Sequence, residues 1–189
     1  MSVDDPLIFA DKFRVPSSRL KNWDYSTPGF YYVTICTLNH NSFFGKIENR
    51  KMNPSKSGST IDDCWRKIPQ QFNGIQLDAF VIMPNHLHGV IHITDKFCRD
   101  AINRVSTITP GQKIGGFSGR KNPMVNKNLS TVIRWFKGKS TRQIKLTGKF
   151  FAWQSRFYDH LIKNQTEYYK IKQYIINNPT NWFKDPYHG

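Results

Sequence analysis

The stretch that most constrains this chain runs from Leu77 to Ile93. An apolar run, Leu77-Asp78-Ala79-Phe80-Val81-Ile82-Met83, passes through Pro84-Asn85 into His86-Leu87-His88-Gly89-Val90-Ile91-His92-Ile93. Both runs are short and bounded by turn residues, which predicts two strands. Side chains alternate along a strand, so His86 and His88 share one face while Leu87, Gly89, Ile91 and Ile93 share the other. One side suits a core; the other presents imidazoles. Two such imidazoles, about 6–7 Å apart by strand rise, can converge on one divalent cation. The spacing alone fits ordinary polar residues on a wet face equally well. His92 falls on the same face but farther off, as a strand-end residue rather than a third ligand.

The flanking chain supplies further elements. Phe30 to Thr37 is aromatic and β-branched, which predicts a strand. Asn39 to Ser42 reads as a turn, Phe43 to Ile47 as a short partner strand, and 49–59 as a loop or irregular hairpin. A helix is expected to follow, capped by Ser59 or Thr60, with Asp62 and Asp63 in its first turn. Ile61, Cys64, Trp65, Ile68 and Phe72 form its apolar stripe, and Pro69 predicts a kink or an early end. Leu129, Val132, Ile133 and Phe136 mark a later helix face, with Arg134, Lys137, Lys139, Arg142 and Lys145 on its other positions. Those cations fit either a solvated flank or a phosphate-contacting surface. The dense aromatic segment 150–160 reads as extended and partly core. Gln165 to Asn178 predicts a last helix with Tyr168, Ile171 and Ile175 as its buried stripe. Tyr174 and Asn178 lie one turn apart on it, and Pro179 puts Asn178 at its fraying end. By themselves these two read as a core Tyr and a C-cap Asn.

Charge narrows the partner. Lys and Arg number 28 against 13 Asp and Glu, a formal charge of +15, which points to a polyanion, with nucleic acid foremost. No apolar run approaches membrane-spanning length and no long basic amphipathic helix is apparent, so no membrane partner is expected. The first residues carry no signal-like apolar region. Cys36, Cys64 and Cys98 are scattered, form no zinc knuckle or disulfide framework, and fit a reducing cytoplasm. Residues 1–28 read as an arm in which Arg19, Lys21 and Trp23 mix basic and aromatic character, as in single-strand binders, although packing on the domain fits the arm as well. Residues 95–128 read as a flexible basic insertion. Its Gly111-Gln112-Lys113-Ile114-Gly115-Gly116 lacks the ending of a phosphate-binding loop.

Taken together, four motifs carry a resemblance. Met83-Pro84-Asn85-His86-Leu87-His88 resembles the His-hydrophobic-His signature of HUH single-strand DNA endonucleases. Tyr174-Ile175-Ile176-Asn177-Asn178-Pro179 resembles their catalytic tyrosine helix, and Trp153 to His160 the segment before it. Leu20 to Tyr25 with Tyr32 to Thr37 resembles their N-terminal strand region. The group resembled is the REP-associated tyrosine transposases, relatives of the single-tyrosine insertion-sequence transposases.

The resemblance implies a ferredoxin-like α+β fold, an antiparallel sheet with helices on one face, in a single catalytic domain over 29–182 followed by a tail at 183–189. It implies that His86, His88 and Asn178 hold a divalent metal, Mg²⁺ or Mn²⁺, and that Tyr174 is the nucleophile. The implied reaction cleaves and rejoins single-stranded or hairpin DNA through a 5′-phosphotyrosine. Arg19, Lys21, Arg134, Lys137, Lys139, Arg142 and Arg156 are the expected DNA contacts. A homodimer and a cytoplasmic, nucleoid-associated location are compatible. The insertion at 95–128 has no matching segment. A non-cleaving nucleic-acid-binding module of the same fold and a structural zinc adaptor are the competing expectations. A histidine-triad hydrolase is disfavoured because position 90 is Val.

Overall fold

The computed structural model describes residues 8–9, 12–13, 24–25, 27–97 and 128–188. Arg19, Lys21, Cys98 and nearly all of the expected insertion lie outside them. Among the described residues the strands and longer helices are β1 (Ile8–Phe9), β2 (Lys12–Phe13), β3 (Gly29–Cys36), β4 (Gly45–Glu48), β5 (Lys51–Pro54), α1 (Lys56–Arg66), α2 (Ile68–Gln71), β6 (Ile75–Ile82), β7 (His86–Ile93), α3 (Leu129–Lys145), β8 (Tyr158–Ile162) and α4 (Gln165–Asn177).

The main sheet has the order β6-β7-β3-β8 with every neighbouring pair antiparallel. Helices α1 and α2 connect β3 to β6, with β7 lying between those two strands. Helix α3 lies on the connection from β7 to β8, with β3 lying between those. Two interleaved split βαβ units of this kind make the ferredoxin-like arrangement. The predicted pair Leu77–Met83 and His86–Ile93 is a hairpin in which β6 forms one edge of this sheet and β7 lies inside it.

One sheet face builds the core. Tyr31, Val33 and Ile35 of β3 and Leu87, Ile91 and Ile93 of β7 are fully buried there, as strand alternation requires. Helices α1 and α3 cover them, Trp65 meeting Phe136 edge to face at 5.1 Å. Gly89 makes this closeness possible. A Cβ at that position would lie 2.5 Å from Cζ2 of Trp65, so any larger residue would push the helix layer off the sheet.

Helix α1 begins earlier than the sequence suggests. Ser55 is its N-cap, its side chain accepting from the Gly58 N–H at 3.1 Å and donating to the Phe43 carbonyl at 2.8 Å. Gly58 reads as a loop residue but lies inside the helix, because a Cβ there would stand 2.1 Å from the Phe44 carbonyl oxygen. Ser59 and Thr60 instead bond back to the carbonyls of Ser55 and Lys56, and Asp62 pairs with Arg66 one turn on. Pro69 does end this helix, starting the short α2. Within the expected loop at 49–59, Lys51–Pro54 pairs with Gly45–Glu48 around Asn49 and Arg50, both at positive φ, the backbone of a two-residue hairpin turn.

The helices do not share one face. Helix α4 crosses the histidine side of the sheet, capped by Asn164. A register shift in β6 between Leu77 and Phe80 brings Asp78 to α4. There its carboxylate accepts hydrogen bonds from the Tyr168 hydroxyl and, at 3.0 Å, from Lys172 Nζ. Beyond α4 the chain turns through a 3₁₀ segment, Trp182–Lys184, and returns over β7, where Asn85 Nδ2 donates to the Tyr187 carbonyl at 2.7 Å.

Candidate metal and tyrosine site

The histidine face is covered rather than wet. Helix α4 and residues 182–188 lie over it, leaving His86 and His88 at 0% and 1% exposure. Their rings converge, with Nε2 of His86 and Nε2 of His88 2.9 Å apart, much closer than the strand rise that separates their backbones.

Neighbours fix both rings. His86 Nδ1 lies 2.8 Å from Oδ1 of Asn85, an oxygen that can only accept, so Nδ1 carries the proton and Nε2 the lone pair. His88 Nδ1 sits 2.8 Å from the Thr34 hydroxyl and 2.7 Å from the Tyr32 hydroxyl. Thr34 is the cross-strand partner of His88 in the β3–β7 register, so strand pairing places this support. These hydroxyls can accept from Nδ1 as well as donate to it. In the tautomer in which His88 Nδ1 donates, two Nε2 lone pairs face one another, an arrangement a cation relieves. Burial, then the neighbouring His88, lowers the His86 pKa to about 3, and burial lowers that of His88. Both imidazoles are therefore neutral at pH 7, the form that ligates metals.

Asp185 completes the cluster. Its Oδ2 lies 3.8 Å from His88 Nε2 and 4.0 Å from His86 Nε2. It accepts hydrogen bonds from Asn178 Nδ2 at 2.8 Å and from the Tyr174 hydroxyl at 3.2 Å, while Oδ1 accepts from the Tyr187 N–H. Burial opposes its charge, yet the neighbouring His88 ring and hydrogen bonds from Asn178 and the Tyr187 N–H hold the carboxyl well below the usual carboxylate range. Among the described residues, His86, His88 and Asp185 are the group of His, Cys, Asp or Glu side chains whose donor atoms come close enough to hold one metal ion.

Tyr174 and Asn178 arrive from α4. The Tyr174 hydroxyl lies 3.4 Å from His88 Nε2, while the residue remains 41% exposed. Burial of the hydroxyl, and then the Asp185 charge, raise its pKa to about 12. Asn178 is 2% exposed, and its Oδ1 is buried with no hydrogen-bond partner. Two imidazoles and a carboxylate, with a buried side-chain amide bonded to that carboxylate whose own oxygen lacks a partner, form a group that fits a hard or borderline divalent cation.

The sequence marks His86, His88, Tyr174 and Asn178, and the structure brings all four together. It does not mark Asp185, which lies in the stretch expected to be a tail. The available signal is that Asp185 is the lone acid among the aromatic residues following α4. The expected DNA contacts lie elsewhere. Arg134, Lys139 and Arg142 are exposed on α3, across the sheet from the histidines, and Arg156 is exposed before β8. The Lys137 ammonium donates to the carbonyls of Gln154 and Arg156 at 2.7 and 2.8 Å, tying that segment to α3, and burial lowers its pKa to about 8. Among the described residues no helix is long and apolar enough to cross a membrane.

No protein-family model matches the chain. A protein of Haemophilus influenzae described as uncharacterized is 34% identical over 173 residues, covering 89% of this chain and 90% of that protein. Among solved structures, a REP-associated tyrosine transposase bound to a REP hairpin superposes with a TM-score of 0.55 at 16% identity, covering 87% of this chain and 74% of that one. At that identity the likeness is one of fold.

Proposed function

This chain belongs to one family with the Haemophilus influenzae protein and has the fold of the REP-associated tyrosine transposase, and from that premise we propose that it is a metal-dependent single-strand DNA endonuclease and strand transferase. The observation that carries the reading is the convergence of the Tyr174 hydroxyl, two imidazole rings and a carboxylate in one cluster, with the Asn178 amide bonded to that carboxylate.

His86, His88, Asp185 and Asn178 would hold the ion, Mg²⁺ or Mn²⁺. When bound, it polarises the phosphoryl oxygens and offsets developing charge. Asn85, Thr34 and Tyr32 keep Nε2 of both histidines aimed inward. Asp185 orients the Tyr174 hydroxyl by accepting its hydrogen bond. Tyr174 attacks phosphorus: its oxygen–phosphorus bond forms as the bond from phosphorus to the 3′-oxygen breaks. The phenolic proton is given up and the departing 3′-oxygen takes one. The products are a 5′-phosphotyrosine and a 3′-hydroxyl, which retain the bond energy for rejoining. The +15 charge and the acid-free helix α3 supply the attraction for the strand, and hairpin DNA is the substrate that the likeness to the hairpin-bound transposase favours.

The test is incubation of the chain with single-stranded hairpin oligonucleotides and Mn²⁺. A covalent protein–DNA band on a denaturing gel, lost in Tyr174→Phe and on chelation, supports the reading. No band from the wild-type chain on any hairpin would favour the non-cleaving binding module.

A further inference from the structure

Strand β6 is an edge of the main sheet, whose order is β6-β7-β3-β8. The Met83 N–H donates to the His86 carbonyl, and the register continues through Ile82↔Leu87, Val81↔His88 and Phe80↔Gly89. Hydrogen-bonded and non-hydrogen-bonded pairs alternate along an antiparallel ladder. Met83 and Val81 therefore turn their backbone groups toward β7, while Phe80 and Ile82 turn theirs outward. Among the described residues no hydrogen-bond partner meets those outward groups. Such an edge is a template for another strand.

A groove of about 410 Å³ runs beside this edge. Its opposite wall is α1, which contributes Ser59, Asp62, Asp63 and Arg66, spaced as one helix face. Phe80, Ile82 and Met52 add apolar lining. From Ser59 to Arg66 the helix rises about 10 Å, the length of about three extended residues. The groove therefore has the dimensions of a short strand laid between β6 and α1.

Its charge runs against that of the whole chain, which is +15. Arg66 holds Asp62 through bonds of 2.7 and 3.2 Å, and its guanidinium lies over the Phe80 ring, 4.8 Å from the centre. Asp63 is exposed and has no ion-pair partner among the described residues. Two carboxylates against one guanidinium leave this wall negative. It repels phosphate and attracts cations, so the occupant it selects is not nucleic acid.

We propose that this groove docks an extended, basic segment of a partner protein, which adds to the β6 edge as a further strand facing α1. Main-chain hydrogen bonds to Phe80 and Ile82 give the affinity. Alternate side chains enter the groove, where a Lys or Arg meets Asp63 and an apolar residue packs on Met52. Strand addition of this kind draws affinity from the backbone and specificity from alternate side chains. The surface shares no residue with the metal and tyrosine cluster, and the inference does not rest on the nuclease reading.

Titration of the full, ¹⁵N-labelled chain with the synthetic peptide acetyl-Lys-Val-Arg-Val-Lys-Val-amide tests it by NMR. The amide signals of Phe80 and Ile82 should shift saturably. Asp63→Lys, a change at an exposed position, should weaken binding by about fivefold, and the spectrum itself reports whether the variant is folded. The same side chains on an N-methylated backbone should bind at least about tenfold more weakly, and a peptide with Glu in place of Lys and Arg should leave both signals unchanged. No DNA enters the assay, so its failure leaves the nuclease reading untouched. Five results would overturn the assignment: no saturable shift at Phe80 and Ile82, undiminished binding by Asp63→Lys, equal binding of the N-methylated peptide, a single-stranded oligonucleotide shifting the same two amides, or a dimer in sedimentation that pairs two copies through this edge.

Discussion

Replacing Asp185 by Asn should cripple metal binding while preserving the shape of the site. The carboxylate lies 3.8 and 4.0 Å from the two facing imidazole nitrogens, a donor spacing at which all three could reach one ion. A unit negative charge ligating a divalent ion at about 2.2 Å is worth about 15 kcal/mol at an effective dielectric of about 20. Dehydrating both ions cancels most of this, leaving about 3 kcal/mol, or about 100-fold in affinity. Thermal unfolding gives the readout. At a Mn²⁺ concentration about 100 times the wild-type Kd, binding stabilises the native state by about 2.7 kcal/mol. For a chain of this length that raises Tm by about 5–11 °C. The variant at the same Mn²⁺ should gain only about 0.4 kcal/mol, or about 1–2 °C. An equal Mn²⁺-induced rise in both proteins would refute Asp185 as part of the ion site.

Three further outcomes are expected. Gly89→Ala should lower stability by about 2 kcal/mol, because its Cβ would stand 2.5 Å from Trp65; chemical denaturation checks this, and an unchanged midpoint would contradict the packing described. Asp78→Asn should flatten the acid limb of stability. Burial alone would raise the Asp78 pKa, but bonds from Tyr168 and Lys172 hold it lowered, so its contribution is present above pH ~4 and is lost as pH falls through the lowered value; identical Tm profiles between pH 3 and pH 7 would contradict this. Tyr174→Phe should change stability by less than about 1 kcal/mol, since the ring stays and the residue is 41% exposed, while covalent attachment is abolished.

Much of the fold was legible because it depends on local pattern. Strand alternation gives the two faces of β7, and the core side, with Leu87, Ile91 and Ile93 fully buried, follows directly. The apolar stripe Ile61, Cys64 and Trp65 gives α1, and Pro69 marks the break after which Ile68 belongs to the short α2. Gly58 misled because a close-approach glycine and a loop glycine look alike in sequence; only the Phe44 carbonyl beside it distinguishes them. The histidine pair was legible from alternation, but its burial was not. That burial comes from α4, steered by the irregularity at Asp78, and from the returning residues 182–188. Asp185 was invisible for the same reason: it reaches the histidines through a chain reversal that no periodicity encodes. Lys137 shows the converse limit. Its spacing marks it as one more surface cation, yet its ammonium is spent on two carbonyls of the same chain.

The most direct test is to locate the covalent bond itself. The wild-type chain is incubated with a cleavable hairpin oligonucleotide and Mn²⁺, digested with protease, and the nucleotide-bearing peptide is sequenced by mass spectrometry. The modified residue should be Tyr174, whose hydroxyl alone among the α4 tyrosines approaches His88 Nε2, at 3.4 Å. Attachment at Tyr168, Tyr169 or Tyr187, or a nucleotide carried on any other side chain, would contradict the account.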